Sequence, residues 1–342
     1  MLRTALVGCG KIADAHAFSI QSIKTCRLVG VCDQEELMAK QFSDRFPVDG
    51  IYKDVDELID VAHPDVVHIT TSAQSHYAIA KTCMKRGCHV YVEKPFTLNA
   101  PEAEELIKLA EETGVKLTVG HDDQFTPAAR RMRALIEAGY LGSSPVHMES
   151  YYCYEMSGAY ANALIGDRKH WIRDLPGQLL QNIISHGIAR ISEYLHSEIP
   201  EVMVQGFTSP FLRELGENDI VDELRVIISE KKMHTAYFTF STQMRPSLHQ
   251  FRVYGMKNGL ILDHDNQTVI RLRGKPYVSY AEKFIPPVIF SRQYLSNVMH
   301  NGRLFLGRNF HMKGGMKWLI ESFYESILDE KRPPIPYREI LL

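Results

Sequence analysis

A glycine-rich turn near the start of the chain has the residue spacing of a dinucleotide-binding loop. Gly8-Cys9-Gly10-Lys11-Ile12-Ala13 follows the apolar run Leu2–Val7 and precedes a helical stretch. In such a turn the first glycine permits a tight bend, the second lets the backbone approach a pyrophosphate, and the small third residue lets the helix pack against the strand. The helix N-terminus adds free N–H groups that favour phosphate binding. The residues expected to line this dinucleotide site are Gly8, Cys9, Gly10, Lys11 and Ile12.

A carboxylate follows the next predicted strand at the distance that dinucleotide folds require. Asp33 closes the apolar run Arg27–Cys32 and lies 23 residues after Gly10, against about 20 for the acid that binds a ribose 2′-hydroxyl. Its charge would repel a 2′-phosphate, and the following Gln34-Glu35-Glu36 supplies no arginine to offset that repulsion. The pattern predicts NAD, with NADP less favoured. The alternative is an ordinary strand-end aspartate after a glycine turn.

Two further residues have side chains suited to polarising a substrate and moving its proton. Lys94, within Glu93-Lys94-Pro95, follows the strand His89–Val92 at the edge where open parallel sheets bind ligands. His186 lies four residues after Asn182 on a predicted helix, so both side chains share one face, and an imidazole suits acid–base work near neutral pH. Taken alone, such a lysine is more often a solvated strand-end residue. A histidine among leucines and isoleucines is likewise more often part of the core.

The elements that would hold these residues change in character near residue 120. Up to there, short continuous apolar runs alternate with helical segments, which indicates a parallel sheet covered on both faces, a doubly wound Rossmann fold. Beyond it, runs typical of antiparallel strands are interrupted by helices predicted over Leu179–Leu195 and Lys313–Asp329. We predict a dinucleotide-binding Rossmann domain over residues 1–123. Residues 124–342 should form an α+β domain with a large, open, mainly antiparallel sheet for substrate binding and oligomerisation.

Composition argues against several other classes of function. Among 342 residues, 39 are lysine or arginine and 41 are aspartate or glutamate, a net charge of −2 that offers no excess of positive charge to nucleic acid. No uncharged apolar run approaches the roughly 18 residues of a membrane helix, and the N-terminus lacks the basic segment and cleavage site of a secretory signal. Six cysteines without a CxxC pair, and scattered histidines, predict reduced thiols in the cytoplasm and no bound metal.

Several short motifs occur together in the order found in one known family. They are Gly8–Ala13, Thr70-Thr71-Ser72 with His76, Glu93-Lys94-Pro95, Gly120-His121 leading to Phe125-x-Pro127, and Asn182 with His186. In these motifs the chain resembles the Gfo/Idh/MocA oxidoreductase family, densely up to about residue 142 and thinly beyond. The resemblance implies hydride transfer between NAD(H) and a secondary alcohol or ketone of a sugar, cyclitol or nucleotide sugar. It also implies a homodimer or homotetramer formed through the sheet of the second domain.

The resemblance implies roles for residues of both domains. Thr70-Thr71-Ser72 would form the loop beside the nicotinamide ribose, with His76 at the start of the helix behind it. Glu93 and Lys94 would lie at the cofactor, and Lys94 would also contact the substrate hydroxyl. His186 would take the hydroxyl proton as the hydride leaves for the nicotinamide C4.

The chain departs from the family pattern at two places. Many members have an aspartate four residues before the catalytic histidine, whereas this chain has Asn182. An amide can orient an imidazole or a substrate hydroxyl but cannot stabilise an imidazolium by charge, so we interpret Asn182 as a positioning residue. The arginine often found before Phe-x-Pro is Gln124 here, preceded by Asp122 and Asp123. That acidic pair suits neutral sugar hydroxyls or an amine, which makes Asp123 a candidate substrate ligand; the alternative is a pair of solvated loop carboxylates.

Two further residues, Arg173 and Tyr152, are candidates for the predicted pocket. Arg173, just before the helix that carries His186, can hold a carboxylate or diphosphate through two parallel hydrogen bonds, or belong to a basic surface loop. Tyr152 shares a sheet face with Tyr154 and can stack on a sugar, although such tyrosines are more often core or interface residues.

One alternative function is a glycosidase that oxidises its sugar transiently and recycles bound NAD. The other is a non-catalytic NAD-binding sensor, against which the presence of Lys94 and His186 argues.

Overall fold

The chain divides into two units, one of which is built from both ends of the sequence. The computed structural model describes every residue except 157, 231–232, 275–276, 279, 308–309 and 311–313. The first unit combines Met1–Asp122 with Gly315–Leu342, and the second comprises Asp123–Gly314. The break lies next to the predicted boundary after residue 123. The C-terminal segment, which we predicted to belong to the second domain, instead packs with the first.

A parallel sheet forms the centre of the first unit. Among the described residues, strands β1 to β6 are Leu2–Val7, Cys26–Cys32, Ile51–Tyr52, Val66–Ile69, His89–Val92 and Leu117–Val119. They pair in the order β3-β2-β1-β4-β5-β6, and each of these pairings is parallel. Strand β4 is buried at every position and β5 at all but its first, as expected for strands covered on both faces. The predicted Rossmann-like, doubly wound sheet is confirmed.

Five helices connect these strands in Met1–Asp122, a part of the chain described without gaps. Helices α1 to α5 are Lys11–Gln21, Glu36–Arg45, Val55–Ala62, Ala73–Lys85 and Ala100–Thr113. Side chains cap two of them, because Asp54 accepts a hydrogen bond from the backbone N–H of Glu57 and Asn99 accepts one from that of Glu102. Helix α1 begins after Gly10, which has no side chain with which to cap it. No side chain therefore caps the first N–H groups of α1, of which the Ala13 N–H donates to the Gly10 carbonyl at 3.0 Å.

The second unit is built on a mixed, mainly antiparallel sheet. Within its described residues, strands β7 to β13 are His147–Cys153, Glu201–Phe207, Glu223–Glu230, His234–Ser241, Leu248–Tyr254, Asn258–Asp263 and Thr268–Arg273. Their order is β13-β12-β11-β7-β10-β9-β8. Strand β7 pairs in parallel with β10, and the other described pairings are antiparallel. The predicted sheet type is confirmed, and its central strand β7 carries Tyr152.

The helices of this unit place His186 against the sheet. Helices α6 to α11 are Pro127–Glu137, Gly158–Gly166, Gln178–Ile183, Ser185–Ser192, Pro210–Glu214 and Ala281–Leu306. The helix predicted over Leu179–Leu195 is divided into α8 and α9, with the break at Ile184. The Ser150 hydroxyl of β7 donates to the Gly187 carbonyl at 2.9 Å and so fixes the first turn of α9 on the sheet. No helix in the described parts of the chain, the long α11 included, has the length and apolarity to cross a membrane.

The C-terminal segment covers the first sheet. It contains α12, Gly314–Leu328, and α13, Tyr337–Leu341. Helix α12 buries Leu319, Ile320, Phe323 and Tyr324, and the phenolic oxygen of Tyr337 accepts the Leu117 N–H of β6 at 3.3 Å. Buried apolar surface and this hydrogen bond explain why the segment joins the first unit rather than the second. The predicted helix Lys313–Asp329 corresponds to α12, although Lys313 lies outside the described residues.

Candidate active site

The predicted dinucleotide loop has the backbone that its sequence requires. Gly8 has φ +97°, and a Cβ there would lie 2.7 Å from the Thr71 nitrogen and 2.8 Å from the Thr70 carbonyl carbon. A larger residue would therefore be strained and would also collide with the loop after β4. A Cβ on Gly10 would meet nothing within 4 Å. The second glycine thus borders open space at the uncapped start of α1, where Lys11 and Ile12 begin the helix.

Asp33 is tied to the same loop. Its Oδ2 accepts the Cys9 N–H at 2.7 Å, and its Oδ1 accepts the Glu35 N–H at 2.9 Å. These two bonds hold the carboxylate at the end of β2, beside the glycine turn. Thr70, at the end of β4, donates its hydroxyl to the Gly8 carbonyl at 2.6 Å. The structure therefore brings the predicted cofactor residues on β1, β2 and β4 to one edge of the sheet.

His76 joins the two loops that flank this edge. Its Nδ1 lies 2.9 Å from the Pro95 carbonyl oxygen and its Nε2 lies 3.1 Å from that of Thr71. Burial lowers the pKa of His76, against the opposing effect of these carbonyls. Ser72 precedes α4, and its carbonyl accepts the Ser75 N–H at 3.1 Å. The ring of His76 acts as a brace between Thr70-Thr71-Ser72 and Glu93-Lys94-Pro95.

The two side chains of the Glu-Lys pair have different surroundings. Lys94 is partly exposed, whereas Glu93 is buried and its Oε1 lies 2.9 Å from His16 Nε2. Burial raises the pKa of Glu93, but the hydrogen bond from His16 and the electrostatic interactions with His16 and Lys94 lower it by more, so the net pKa falls below its usual value. A Cβ on Gly120 would lie 2.7 Å from Glu93 Oε1. The Glu93 carboxylate, a predicted cofactor ligand, therefore points into the protein interior.

In the second unit, His186 is paired with a carboxylate that the local spacing did not reveal. Its Nδ1 lies 3.2 Å from Asp123 Oδ2, and Arg190 Nη2 lies 3.1 Å from the same oxygen. His186 and Arg190 are four residues apart on α9, so both side chains leave the same helix face and converge on Asp123. The side chain of Arg190 is only 3% exposed, and that of Asp123 is 29% exposed. The predicted substrate ligand Asp123 is thus engaged by two cationic or proton-donating partners.

The charges in this cluster settle the protonation of Asp123. Desolvation raises the pKa of Asp123, but His186 and Arg190 lower it by more, and the net pKa lies well below its usual range. An ionised carboxylate accepts hydrogen bonds and cannot donate them, so His186 carries its proton on Nδ1. Its Nε2 is then the nitrogen with an electron pair that can accept a proton.

Tyr152 and Asn182 occupy different positions relative to His186. The Tyr152 ring is stacked on the His186 imidazole, with centroids 5.2 Å apart and planes at 11°, and its centroid lies 4.6 Å from that of His249. Asn182 is buried on α8, and His186 lies in the first turn of α9. Ile184, between the two helices, keeps helical dihedral angles, and its N–H donates to the Leu180 carbonyl while its own carbonyl accepts the Ile188 N–H.

Arg173 has partners other than the anionic substrate group that we predicted. Its Nη1 and Nη2 donate to the two carboxylate oxygens of Glu217 at 3.0 and 2.9 Å, and its Nε donates to the Leu164 carbonyl at 3.1 Å. Both side chains of the pair are largely buried. Glu217 already accepts hydrogen bonds from both terminal nitrogens of the Arg173 guanidinium. Arg173 therefore stabilises its own unit, and we do not include it in the substrate pocket.

Two residues near His186, Arg190 and His264, were not predicted from the sequence. Arg190 had only a weak signal, its spacing of four from His186. His264 had none, although burial and the nearby Arg190 lower its pKa well below the usual value. Both ring nitrogens of His264 are buried and have no hydrogen-bond partner among the described residues. A neutral imidazole beside the guanidinium of Arg190 adds no further positive charge to the cluster.

Comparison with known proteins agrees with this architecture. Residues 2–121 match the family model GFO_IDH_MocA, an oxidoreductase family with an NAD-binding Rossmann fold. The chain therefore resembles the Gfo/Idh/MocA family over residues 2–121. Among solved structures, an NAD-binding oxidoreductase from Klebsiella pneumoniae covers 99% of this chain, which covers 93% of that one, with a TM-score of 0.77 and 20% identity. The WlbA dehydrogenase from Bordetella pertussis, in complex with NADH and UDP-GlcNAcA, gives a TM-score of 0.76 at 16% identity, covering 99% and 91%. At these identities the likeness shows the fold.

Two curated dehydrogenases each match less than half of this chain. Myo-inositol 2-dehydrogenase from Thermotoga maritima is 27% identical over 145 residues, which are 42% of this chain and 43% of the relative. UDP-N-acetylglucosamine 3-dehydrogenase from Acidithiobacillus ferrooxidans is 32% identical over 149 residues, 44% of each. The chain thus matches less than half the length of these relatives. Both relatives are named as dehydrogenases.

Proposed function

We propose that this chain is a dehydrogenase or reductase that transfers a hydride between NAD(H) and a secondary alcohol or ketone of a carbohydrate-like substrate. The contact between Asp123 and His186 is the observation that carries the proposal. A histidine held at one nitrogen by a carboxylate can take a hydroxyl proton at the other and is stabilised once it becomes positively charged. Proton transfer of this kind accompanies the oxidation of an alcohol by hydride loss.

The first unit fits a bound dinucleotide. The bend at Gly8, the open space at Gly10 and the uncapped N-terminus of α1 suit a pyrophosphate. The Asp33 carboxylate, held by the N–H groups of Cys9 and Glu35, places negative charge at the end of β2 and disfavours a 2′-phosphate. When bound, NAD⁺ would accept the hydride at its nicotinamide C4. We therefore propose NAD rather than NADP as the cofactor.

Lys94 would act as a hydrogen-bond donor and His186 as a proton acceptor in the reaction. Lys94 would donate a hydrogen bond to the hydroxyl or carbonyl oxygen, and the adjacent anionic Glu93 favours the charged ammonium that this role needs. His186 would remove the hydroxyl proton at Nε2 during oxidation and return it during reduction. Asp123 would stabilise the resulting imidazolium, and Arg190 keeps Asp123 ionised.

The pocket roles of Asp123 and Tyr152 follow from their contacts. Because Asp123 is engaged by His186 and Arg190, we assign it to orienting the base rather than to binding substrate. Tyr152 would fix the plane of the His186 ring through stacking, and Asn182 stays a proposed positioning residue. The substrate class of sugar, cyclitol or nucleotide sugar is proposed from the names of the inositol and UDP-sugar relatives.

We also propose that copies of the chain associate through the outer edge of the second sheet, as a homodimer or homotetramer. Strand β8 is exposed along its whole length, and on one face of the sheet its Met203 lies beside the exposed Ile227 and Tyr237 of the neighbouring strands. Surfaces of this kind are typical of protein interfaces. Light scattering should show a dimer or tetramer that Met203→Glu dissociates; a monomeric wild type would contradict the proposal.

The six free, buried thiols suit a reducing compartment, and we therefore propose that the protein is located in the cytoplasm.

The function is tested by mixing the pure protein with NAD and a panel of candidate substrates while NADH absorbance is followed. The panel contains free sugars, cyclitols, sugar acids and nucleotide sugars at mildly alkaline pH. We expect a steady rise with one class, abolished by Lys94→Ala in protein that still binds NAD. Cleavage of a glycoside without net NADH would instead indicate internal cofactor recycling. NAD binding without turnover of any class would indicate a sensor.

A further inference from the structure

A chain of hydrogen-bonded polar side chains crosses the interior of the first unit. Glu93 Oε1 lies 2.9 Å from His16 Nε2, His16 Nδ1 lies 2.8 Å from His68 Nδ1, and His68 Nε2 lies 2.7 Å from the Tyr324 hydroxyl. Thr4 Oγ1 donates to that hydroxyl at 3.3 Å. His16, His68 and Tyr324 are fully buried. The chain therefore links α12, in the C-terminal segment, to the loop that carries Lys94.

Hydrogen-bond chemistry gives this chain a single direction when both imidazoles are neutral. The Glu93 carboxylate only accepts, so His16 must donate from Nε2, which leaves its Nδ1 as an acceptor. His68 must then donate from Nδ1 and accept at Nε2. The Tyr324 hydroxyl supplies that last proton and accepts from Thr4. Each member has a partner of the correct type, and the only charge is the one on Glu93.

The surroundings support neutral forms of His68 and Tyr324. Burial, and then the neighbouring His16, lower the pKa of His68 well below its usual value. Burial raises the pKa of Tyr324 well above its usual value. Tyr91 is stacked on His68 with centroids 4.8 Å apart. Other titratable or charged groups that act on members of the chain or on Tyr91 are Cys26 on β2, His76 on α4, Lys94 and Asp122.

A doubly protonated His16 would require the opposite direction. It would donate from both nitrogens, so His68 would accept at Nδ1 and donate from Nε2 to the Tyr324 oxygen. The Tyr324 proton would then have to turn toward Thr4. Tyr324 therefore decides between the two directions, because its hydroxyl either donates to His68 or accepts from it.

We propose that Tyr324, acting through His68 and His16, is a positioning residue that keeps Glu93 ionised beside Lys94. A buried carboxylate retains its charge only while donors stabilise it, and successive hydrogen bonds strengthen one another. Glu93 Oε2 also accepts the Lys94 N–H at 3.2 Å, so its charge is fixed next to the lysine backbone. The catalytic meaning of this arrangement rests on the role proposed for Lys94. The hydrogen bonds from Tyr324 to Glu93 are independent of that role.

Two matched substitutions test the proposal. Tyr324→Phe removes the hydroxyl that hydrogen-bonds to His68 and keeps the aromatic ring. Tyr91→Phe removes an equally buried hydroxyl beside the same histidine, one that has no hydrogen-bond partner among the described residues. The first measurement is NMR of ¹⁵N-labelled histidines at neutral pH in the full chain. We expect His16 to be protonated on Nε2 and His68 on Nδ1 in the wild type and in Tyr91→Phe, with His68 losing this fixed tautomer in Tyr324→Phe.

The second measurement is a ¹³C titration of the Glu93 carboxyl, assigned with Glu93→Gln. Tyr324→Phe should raise the titration midpoint by about half a pH unit or more, an approximately threefold gain in proton affinity, and Tyr91→Phe should leave it unchanged. A doubly protonated His16 in the wild type, or equal midpoints in the two variants, would overturn the proposal. With an active substrate, Tyr324→Phe should also move the acid side of the pH–rate profile to higher pH. If the NMR results hold and no substrate is turned over, the proposed function fails and the hydrogen-bond chain stands.

Discussion

Replacing Asp123 by asparagine removes the charge that faces His186 and keeps the size of the side chain. A unit charge pair about 4 Å apart interacts by about 4 kcal/mol at an effective dielectric constant of about 20. Asp123 is shared with Arg190 and is 29% exposed, so we take about 3 kcal/mol for its stabilisation of the imidazolium. Since about 1.4 kcal/mol corresponds to a tenfold change in rate, kcat should fall by about 100-fold.

Two further effects distinguish this mechanism from a general disturbance of the fold. Without the carboxylate a protonated His186 is less stable, so the acid side of the pH–rate profile should move to lower pH. Arg190, almost wholly buried, loses its counter-charge, and the free energy of unfolding should fall by about 3 kcal/mol, the lower end for breaking a buried ion pair. The first effect is measured as NADH formation over pH and the second by urea denaturation.

The chain offers a matched control for Asp123→Asn. Asp265 Oδ1 lies 2.7 Å from His249 Nδ1, an aspartate–histidine pair of the same kind in the same unit, and the Asp265 side chain is 49% exposed. Asp265→Asn should change kcat by less than about threefold, since exposed pairs contribute about 0–1 kcal/mol. The reasoning is refuted if Asp123→Asn, correctly folded, retains kcat within threefold of the wild type, or if Asp265→Asn is equally impaired.

Substitutions at three other positions give outcomes that follow from the structure. Lys94→Ala should abolish detectable turnover with NAD binding retained, and Lys94→Arg should not restore it because the guanidinium is planar and bulky; both are checked by steady-state rates and cofactor titration. Asp33→Ser should weaken NAD binding about tenfold and improve NADP binding, measured by fluorescence titration, because a charged acceptor for the ribose is lost. Arg173→Ala should lower the free energy of unfolding by about 3 kcal/mol with KM unchanged, since its partner is Glu217. A hydrogen bond from Arg173 lowers the pKa of Glu217, so this stabilisation is complete above the unfolded carboxyl pKa of about 4.3 and is lost as the pH falls below it. In Arg173→Ala, urea midpoints should therefore depend less on pH in that range.

The Rossmann half of the chain could be predicted because its signals are local. The glycine turn, the apolar strands and Asp33 each lie within a few residues of the element that they define, and hydrogen bonds confirm that Asp33 is attached to the loop. The side chain of Glu93 was harder, because the sequence shows its place at the strand end but not that it turns inward to His16. Residue type and spacing therefore locate this edge of the sheet better than they orient each side chain.

Contacts between distant positions could not be predicted from spacing. The carboxylate facing His186 belongs to Asp123, in another part of the chain, whereas the local pattern pointed to position 182. The division of the predicted helix into α8 and α9 at Ile184 has no glycine or proline to mark it, and Ile184 keeps helical dihedral angles. The return of Gly315–Leu342 to the first unit depends on buried apolar side chains of α12, which resemble those of any amphipathic helix.

The most direct test of the account follows a deuterium atom from substrate to cofactor. A substrate identified in the panel is labelled with deuterium at the carbon that bears the reacting hydroxyl, and the free nicotinamide product is analysed by mass spectrometry and NMR. We predict one deuterium at the nicotinamide C4 for each product formed, and a reduced rate for the labelled substrate if hydride transfer limits turnover. Product formed without deuterium in the released NADH would contradict the central claim that this chain is a hydride-transferring dehydrogenase.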